Sequence, residues 1–233
     1  MKRRTKITVA AVGLATLLIV PLGAWIAVGI ASVSGVATPA YTVVSEHAGY
    51  EIREYAPQIV AEVTVDGDFE AALNRGFRKL AGYIFGDNTA PTGGGESQPI
   101  AMTAPVLEEV AATSSPIAMT APVLEETAAG DKRKVTFVMP AEYSMATIPK
   151  PKDPDVRLVE VPARRYAASH FSGWVDAEKA ARMKTRLLED LSRDKQATDG
   201  VPALAQYDPP WTPPFMRRNE ILVPLSAGGR SAQ

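Results

Sequence analysis

Hydrophobic and polar positions alternate with period two at two places in this chain, and each alternating stretch is followed by a helical stripe. Ile59, Ala61, Val63 and Val65 share one strand face, and Val60, Glu62 and Thr64 share the other. Downstream, Phe69, Leu73, Phe77, Leu80 and Ile84 recur at helical spacing, while Glu70, Asn74, Arg75, Arg78 and Lys79 fall off that stripe. Asp68 stands where an N-cap side chain is needed. The pattern predicts a strand over 50–55, a turn at Ala56-Pro57, a strand over 59–65 and a helix over 68–85. A second unit reads alike: a strand over 156–161, a turn at Pro162-Ala163, a strand over 165–171 and a helix over 176–193. Ala177, Ala180, Ala181, Leu187, Leu188 and Leu191 form the apolar side of that helix.

Two further strand candidates follow each helix. After the first come Ile-Ala-Met-Thr-Ala-Pro-Val and then 134–139; after the second come 203–207 and 220–225. The chain therefore reads β-β-α-β-β twice. The expected fold is α+β, a mostly antiparallel curved sheet or distorted barrel with two helices and a pseudo-twofold axis. Such halves leave a cleft between helices and sheet, an ordinary setting for a small molecule.

One strand candidate is in excess. The eleven residues from Pro99 to Glu109 return unchanged from Pro116 to Glu126, at an offset of 17. Two copies are too few for a solenoid, so the duplication marks a region that tolerates insertion. Residues 91–98, with Gly93-Gly94-Gly95, read as a flexible loop, and 149–154 and 208–214 as proline-rich connections.

The front of the chain breaks the pattern. Lys2, Arg3, Arg4 and Lys6 precede an uncharged apolar run over residues 7–30, which is 24 positions long. About 20 apolar residues span a bilayer core, and a signal-peptide apolar region is shorter. The expectation is an uncleaved transmembrane signal anchor with a cytoplasmic basic tail and an extracytoplasmic remainder; the alternative is a signal peptide cleaved near Gly35-Val36-Ala37. In a bacterial cell this places a single-pass protein in the inner membrane with its C-terminal domain in the periplasm. The organisation expected is a tail at 1–6, an anchor at 7–30, a linker at 31–40, a domain at 41–226 and a disordered tail at 227–233.

Composition narrows the chemistry. There is no cysteine, which removes disulfides, thiolate catalysis and cysteine-type metal sites. Formal net charge is −1, and the chain without its basic tail is mildly acidic. No nucleic-acid footprint results. No nucleophile elbow, dinucleotide-binding loop or phosphate-binding loop is present, and the chain is not expected to be an enzyme. The remaining catalytic alternative is a hydrolase using Glu51, Glu54 or Glu62 as a general base.

Several stretches resemble the SOUL family of haem-binding proteins. They are Ile-x-Met-Thr-Ala-Pro-Val in the repeat, Tyr50-Glu51-Ile52-Arg53-Glu54-Tyr55, Phe77-x-Lys79-Leu80-x-x-Tyr83-Ile84-x-Gly86-x-Asn88, Tyr207-Asp208-Pro209-Pro210-Trp211, and Arg217-Arg218-Asn219-Glu220. The resemblance runs from about residue 41 to 225. It implies a distorted barrel with two helices, kin to gyrase-inhibitor-like effector-binding domains. It also implies a hydrophobic surface for haem b or another tetrapyrrole, held for buffering or transfer. The chain departs from the family at three positions. Glu54 stands where some members carry a histidine haem ligand, and Asn74 and Gly82 stand where others carry basic residues. The alternative function is a non-haem effector- or amphiphile-binding module of the same fold.

On this reading the haem-binding cleft draws on Leu73, Phe77, Leu80, Tyr83, Ile84, Met119, His170, Arg75 and Arg78. His170 is either an iron ligand or a half-buried strand histidine, and His47 is expected to be exposed. Met102 and Met119 are either soft ligands or core filling. The second repeat copy directly precedes the next strand, which aligns Met119 with the family methionine. The Arg217–Glu220 segment either holds a propionate or closes the barrel as a charge network. Burying several hundred Å² of porphyrin contributes on the order of 10 kcal/mol gross. Association costs remove a large part of that, which leaves micromolar binding open without an iron–protein bond.

Overall fold

The computed structural model describes residues 25, 26, 28, 29, 36–92, 95–111 and 132–226. Among the described residues eleven strands and two long helices follow one another. They are β1 (Tyr41–His47), β2 (Tyr50–Tyr55), β3 (Gln58–Asp66), α1 (Phe69–Phe85), β4 (Asn88–Thr89), β5 (Val106–Val110), β6 (Lys132–Val138), β7 (Lys150–Pro151), β8 (Arg157–Val161), β9 (Arg164–Phe171), α2 (Ala177–Arg193), β10 (Ala203–Gln206) and β11 (Asn219–Pro224). Nine strands form one curled antiparallel half-barrel in the order β1-β2-β9-β11-β10-β5-β6-β3-β8, and β4 pairs with β7 apart from it.

Both helices begin at an aspartate cap. Asp68 accepts from the Ala71 N–H at 2.8 Å and Asp176 from the Lys179 N–H at 2.7 Å. The first helix ends at Gly86, whose φ of 132° is reached without strain only by glycine. The helices share one face of the sheet. Ala72, Leu80, Tyr83 and Ile84 of α1 pack on Ala61, Val63, Val135 and Phe137 of β3 and β6. Ala180, Leu187 and Leu191 of α2 pack on Ile52, Ala167, Ile221 and Val223 of β2, β9 and β11. The predicted ββαββ repeat and its two helices are present.

Helix α1 sits close to the sheet because Gly76 lies over Val135. A Cβ at Gly76 would stand 2.5 Å from Val135 Cγ2, inside van der Waals contact. The contact stripe therefore runs through Ala72 and Gly76, small residues that the hydrophobic pattern passes over.

One strand was not anticipated, and two expectations fall largely outside the described residues. Residues 41–47 form an edge strand, and a register shift between Val43 and Ser45 explains why no clean alternation marks it. The first repeat copy supplies a sheet strand: Val106–Val110 pairs with both β10 and β6. The alignment of Met119 with the family methionine falls on residues 116–126, outside the described residues. Most of the predicted anchor also lies outside them, and among the described residues no helix is long and apolar enough to cross a membrane.

Candidate functional site

Strand order decides what lies between the helices. Helix α1 covers β6 and β3 and α2 covers β11, so β10 and β5 floor the groove between them. On that floor Leu204 of β10 stands opposite Glu108 of β5, and Glu108 stands opposite Val135 of β6. Leu204 and Val135 are fully buried, and Glu108 between them is 1% exposed. A carboxylate in an apolar row must be paired. Arg133 donates to its Oε1 at 2.6 Å, and Lys184 of α2 lies 3.5 Å from Oε2. The Arg133 guanidinium also stands 5.4 Å from the centroid of Phe69, the first residue of α1. The bridge thus runs from α1 to α2 across the floor.

This bridge is incompletely satisfied. Among the described residues, Glu108 Oε2 and Arg133 Nε are buried without a hydrogen-bond partner. Two cations face one carboxylate. On α1, Leu73 and Phe77 flank Gly76 at the rim of the contact stripe. Leu73 is half-buried, and Phe77 is 36% exposed with its ring 5.4 Å from that of Phe137. The arrangement suits a ligand with a flat apolar body and carboxylate groups.

The other sequence-derived residues separate from this set. Leu80, Tyr83 and Ile84 are at most 1% exposed and belong to the core beneath α1. The Tyr83 hydroxyl donates to the Pro149 carbonyl at 2.7 Å, and burial raises its pKa. Arg75 and Arg78 donate to the backbone carbonyls of Asp66 and Asn74. His170 is exposed and its side chain alternates onto the helix-free face of the sheet. There it lines an open hollow of about 350 Å³ with His47, Glu46, Tyr50, Glu51 and Arg53. His47 stacks on Tyr50 at 4.5 Å and lies 3.7 Å from Asp194. Among the described residues no three metal-ligating side chains are grouped for an ion. Met102 is 37% exposed, and Met119 is outside the described residues.

The helix-free face carries a second buried charge cluster. Arg53 Nη1 donates to Glu220 Oε2 at 2.7 Å, and the Tyr207 hydroxyl donates to the same oxygen at 2.7 Å. Arg218 Nη2 pairs with Oε1 at 2.8 Å. Tyr55 completes the cluster, at 3.3 Å from Arg53 and edge-on to Tyr166. Burial opposes ionisation of Glu220, but hydrogen bonds from Arg53 and Tyr207 and the charge of Arg53 outweigh it, so the carboxyl lies below its ordinary value. Burial and the nearby Glu220 push the Tyr207 hydroxyl well up. Of the two readings of the Arg217–Glu220 segment, the charge network describes Arg218 and Glu220. Arg217 instead holds the loop carbonyls of Thr212, Pro209 and Pro210.

The carboxylates considered as general bases are also paired. Glu51 accepts from Arg53, Glu54 from Arg165 at 3.0 Å, and Glu62 lies 3.6 Å from Lys134. A larger hollow of about 650 Å³ runs along α2, lined by residues of that helix alone. Among the described residues no second element converges on it.

The groove residues Glu108, Arg133 and Lys184 were absent from the sequence-derived set. A signal existed. Glu108 shares a strand face with Val106, Arg133 with Val135 and Phe137, and Lys184 lies between Ala180 and Leu187 on the buried stripe of α2. Three charges on three core-facing positions mark a site more specifically than another apolar residue does.

The fold is a two-helix, curled-sheet domain. The sequence model of the family described as SOUL heme-binding protein matches residues 36–224, and the chain belongs to that family. No curated protein matches the sequence. Among solved structures, the chain is similar to the crystal structure of the EcmrR C-terminal domain. The TM-score is 0.51 at 12% identity, over 80% of this chain and 98% of that one. It is also similar to EcmrR in the cryo-EM structure of the EcmrR–DNA complex, with a TM-score of 0.52 at 11% identity, over 97% of this chain and 70% of that one. At these identities the likeness is one of fold.

Proposed function

We propose that this domain binds haem or a related tetrapyrrole in the groove between α1 and α2, for buffering or transfer at the membrane. The observation that carries the reading is the buried Glu108 carboxylate faced by two cations, Arg133 and Lys184, on the groove floor of a SOUL-family domain. Leu73 and Phe77 supply apolar contact, and Arg133 and Lys184 face the propionates. The tetrapyrrole is cargo, and the protein's part is to bind, orient and release it. The apolar run at 7–30 anchors the chain, with the domain on the extracytoplasmic side.

The effector-binding alternative draws on the fold shared with the EcmrR C-terminal domain and on the tyrosine-lined Glu220 cluster. That carboxylate is already occupied by Arg53, Arg218 and Tyr207. A flat cation finds no free anion there, which favours the tetrapyrrole.

The test is a difference-absorbance titration of the full chain in detergent with ferric haem and with iron-free protoporphyrin. Saturable one-to-one shifts with both are expected, because propionates and apolar burial carry the interaction. No saturable change with either would remove the tetrapyrrole reading and leave the effector alternative.

A further inference from the structure

At one end of the sheet two loops present three large aromatic side chains to solvent. Trp174 and Trp211 are each 55% exposed and Phe215 is 62% exposed. The loops are fastened together. The Gly173 N–H donates to the Pro214 carbonyl at 2.9 Å, and the Asn219 side chain donates to the Gly173 carbonyl at 3.0 Å. Arg217 lies 3.8 Å from the Trp174 ring centroid while it donates to the carbonyls of Pro209, Pro210 and Thr212. The aromatics therefore stand on a fixed platform.

The backbone of this platform is poor in free donors. Pro209, Pro210, Pro213 and Pro214 have no N–H, and the Thr212 N–H is used by the Pro209 carbonyl at 3.1 Å. Such a loop loses few hydrogen bonds to water when it meets a low-dielectric surface. Tryptophan rings, with an apolar body and one N–H, settle at membrane–water boundaries.

The occupant is indicated by where the apolar N-terminal run ends. Trp25, inside that run, donates its indole N–H to the Trp211 carbonyl at 2.7 Å. Gly29 lies so close to Pro213 that a Cβ there would stand 2.8 Å from its ring. The chain leaves its apolar segment against the aromatic platform itself. We infer that Trp174, Trp211 and Phe215 form an interfacial foot that seats the domain on the lipid bilayer beside the anchor. This rests on the anchor reading and adds an orientation: the loop end of the sheet rests on the membrane surface.

The chain has three tryptophans, and they separate the two claims. The full-length protein is reconstituted into phosphatidylcholine vesicles whose acyl chains are either brominated or not. Trp25→Phe leaves Trp174 and Trp211 as reporters of the foot; Trp174→Phe/Trp211→Phe leaves Trp25 as reporter of the anchor. Both variants are expected to lose most of their fluorescence in brominated vesicles and to resist aqueous acrylamide. Phe215→Glu in the Trp25→Phe background should restore acrylamide access to Trp174 and Trp211. Quenching of Trp25 alone, with Trp174 and Trp211 open to acrylamide, would overturn the foot and leave the anchor. Quenching of neither would overturn both.

Discussion

Lys184 of α2 and Glu108 of β5 face each other at 3.5 Å across the groove floor, and Glu108 is held more tightly by Arg133 at 2.6 Å. The buried carboxylate thus occupies cations that a ligand carboxylate would use. Glu108→Gln is expected to tighten protoporphyrin binding several-fold while lowering stability by about 1–3 kcal/mol through the lost charge-assisted bonds. Titration of variant and parent, with a thermal melt of each, checks both signs. Weaker binding at retained fold would place the carboxylate on the ligand's side of the interaction.

Arg53 and Glu220 form the buried pair on the opposite face. Arg53→Met removes one partner and leaves Glu220, which is 1% exposed. Arg218 and Tyr207 still hold it, so the expected loss is about 3 kcal/mol, at the lower end for a broken buried pair. The double change Arg53→Met/Glu220→Met is expected to recover more than half of that. Denaturant unfolding of the two single variants and the double variant measures the coupling, and additive losses would contradict it.

The same pair sets a pH dependence. The Glu220 carboxyl is lowered in the fold from an ordinary value of 4.5. Its contribution to stability is therefore fully present above about pH 4.5 and disappears as pH falls through the folded value. Acid unfolding followed by circular dichroism should begin below that point, and Glu220→Gln should flatten the slope there. An unchanged slope would assign the acid transition to other groups.

Gly76 and Val135 give a prediction against helix propensity. Alanine in place of a mid-helix glycine ordinarily adds about 1 kcal/mol of stability. Here its methyl group would lie 2.5 Å from Val135 Cγ2 and 2.7 Å from Val135 Cβ, and Val135 is fully buried. Gly76→Ala is expected to cost about 1–3 kcal/mol by overpacking, with helix content by circular dichroism unchanged. A raised melting temperature would show that α1 can lift off the sheet.

The duplication can be tested by excision. Deleting residues 99–115 removes the copy that forms β5 but brings an identical eleven-residue stretch to the same place in the chain. Four residues, Ala128 to Asp131, then separate Thr127 from Lys132, an ordinary hairpin length. Folding should survive with a small change in melting temperature, since loop length alters closure cost only slowly. Wholesale aggregation would mean that the two copies are not interchangeable.

Much of the fold is legible in the sequence because strand and helix periods are strong where one face is buried. The β3 alternation and the α1 and α2 stripes are such places, and the Asp68 cap is another. β1 is hidden because its residues are largely exposed and its register shifts at Val43. The site was only partly legible. Leu73 and Phe77 share a stripe with Leu80 and Ile84, and periodicity does not say which edge stays open; the small residues Ala72 and Gly76 decide that by setting where the helix touches the sheet. His170 joined the predicted cleft on chemistry alone, and strand alternation turns it to the other face. Glu108, Arg133 and Lys184 meet only because β5 lies between β10 and β6, a pairing no local pattern encodes.

The most direct test compares groove and helix-free face in one assay. Protoporphyrin is titrated into the full chain carrying Lys184→Met, Arg133→Gln or His170→Ala, each checked for its native melt. Lys184→Met and Arg133→Gln are expected to weaken binding about tenfold each, roughly 1.4 kcal/mol, and His170→Ala to leave it unchanged. Loss of binding in His170→Ala with the two groove variants intact would contradict the account and move the ligand to the opposite face of the sheet.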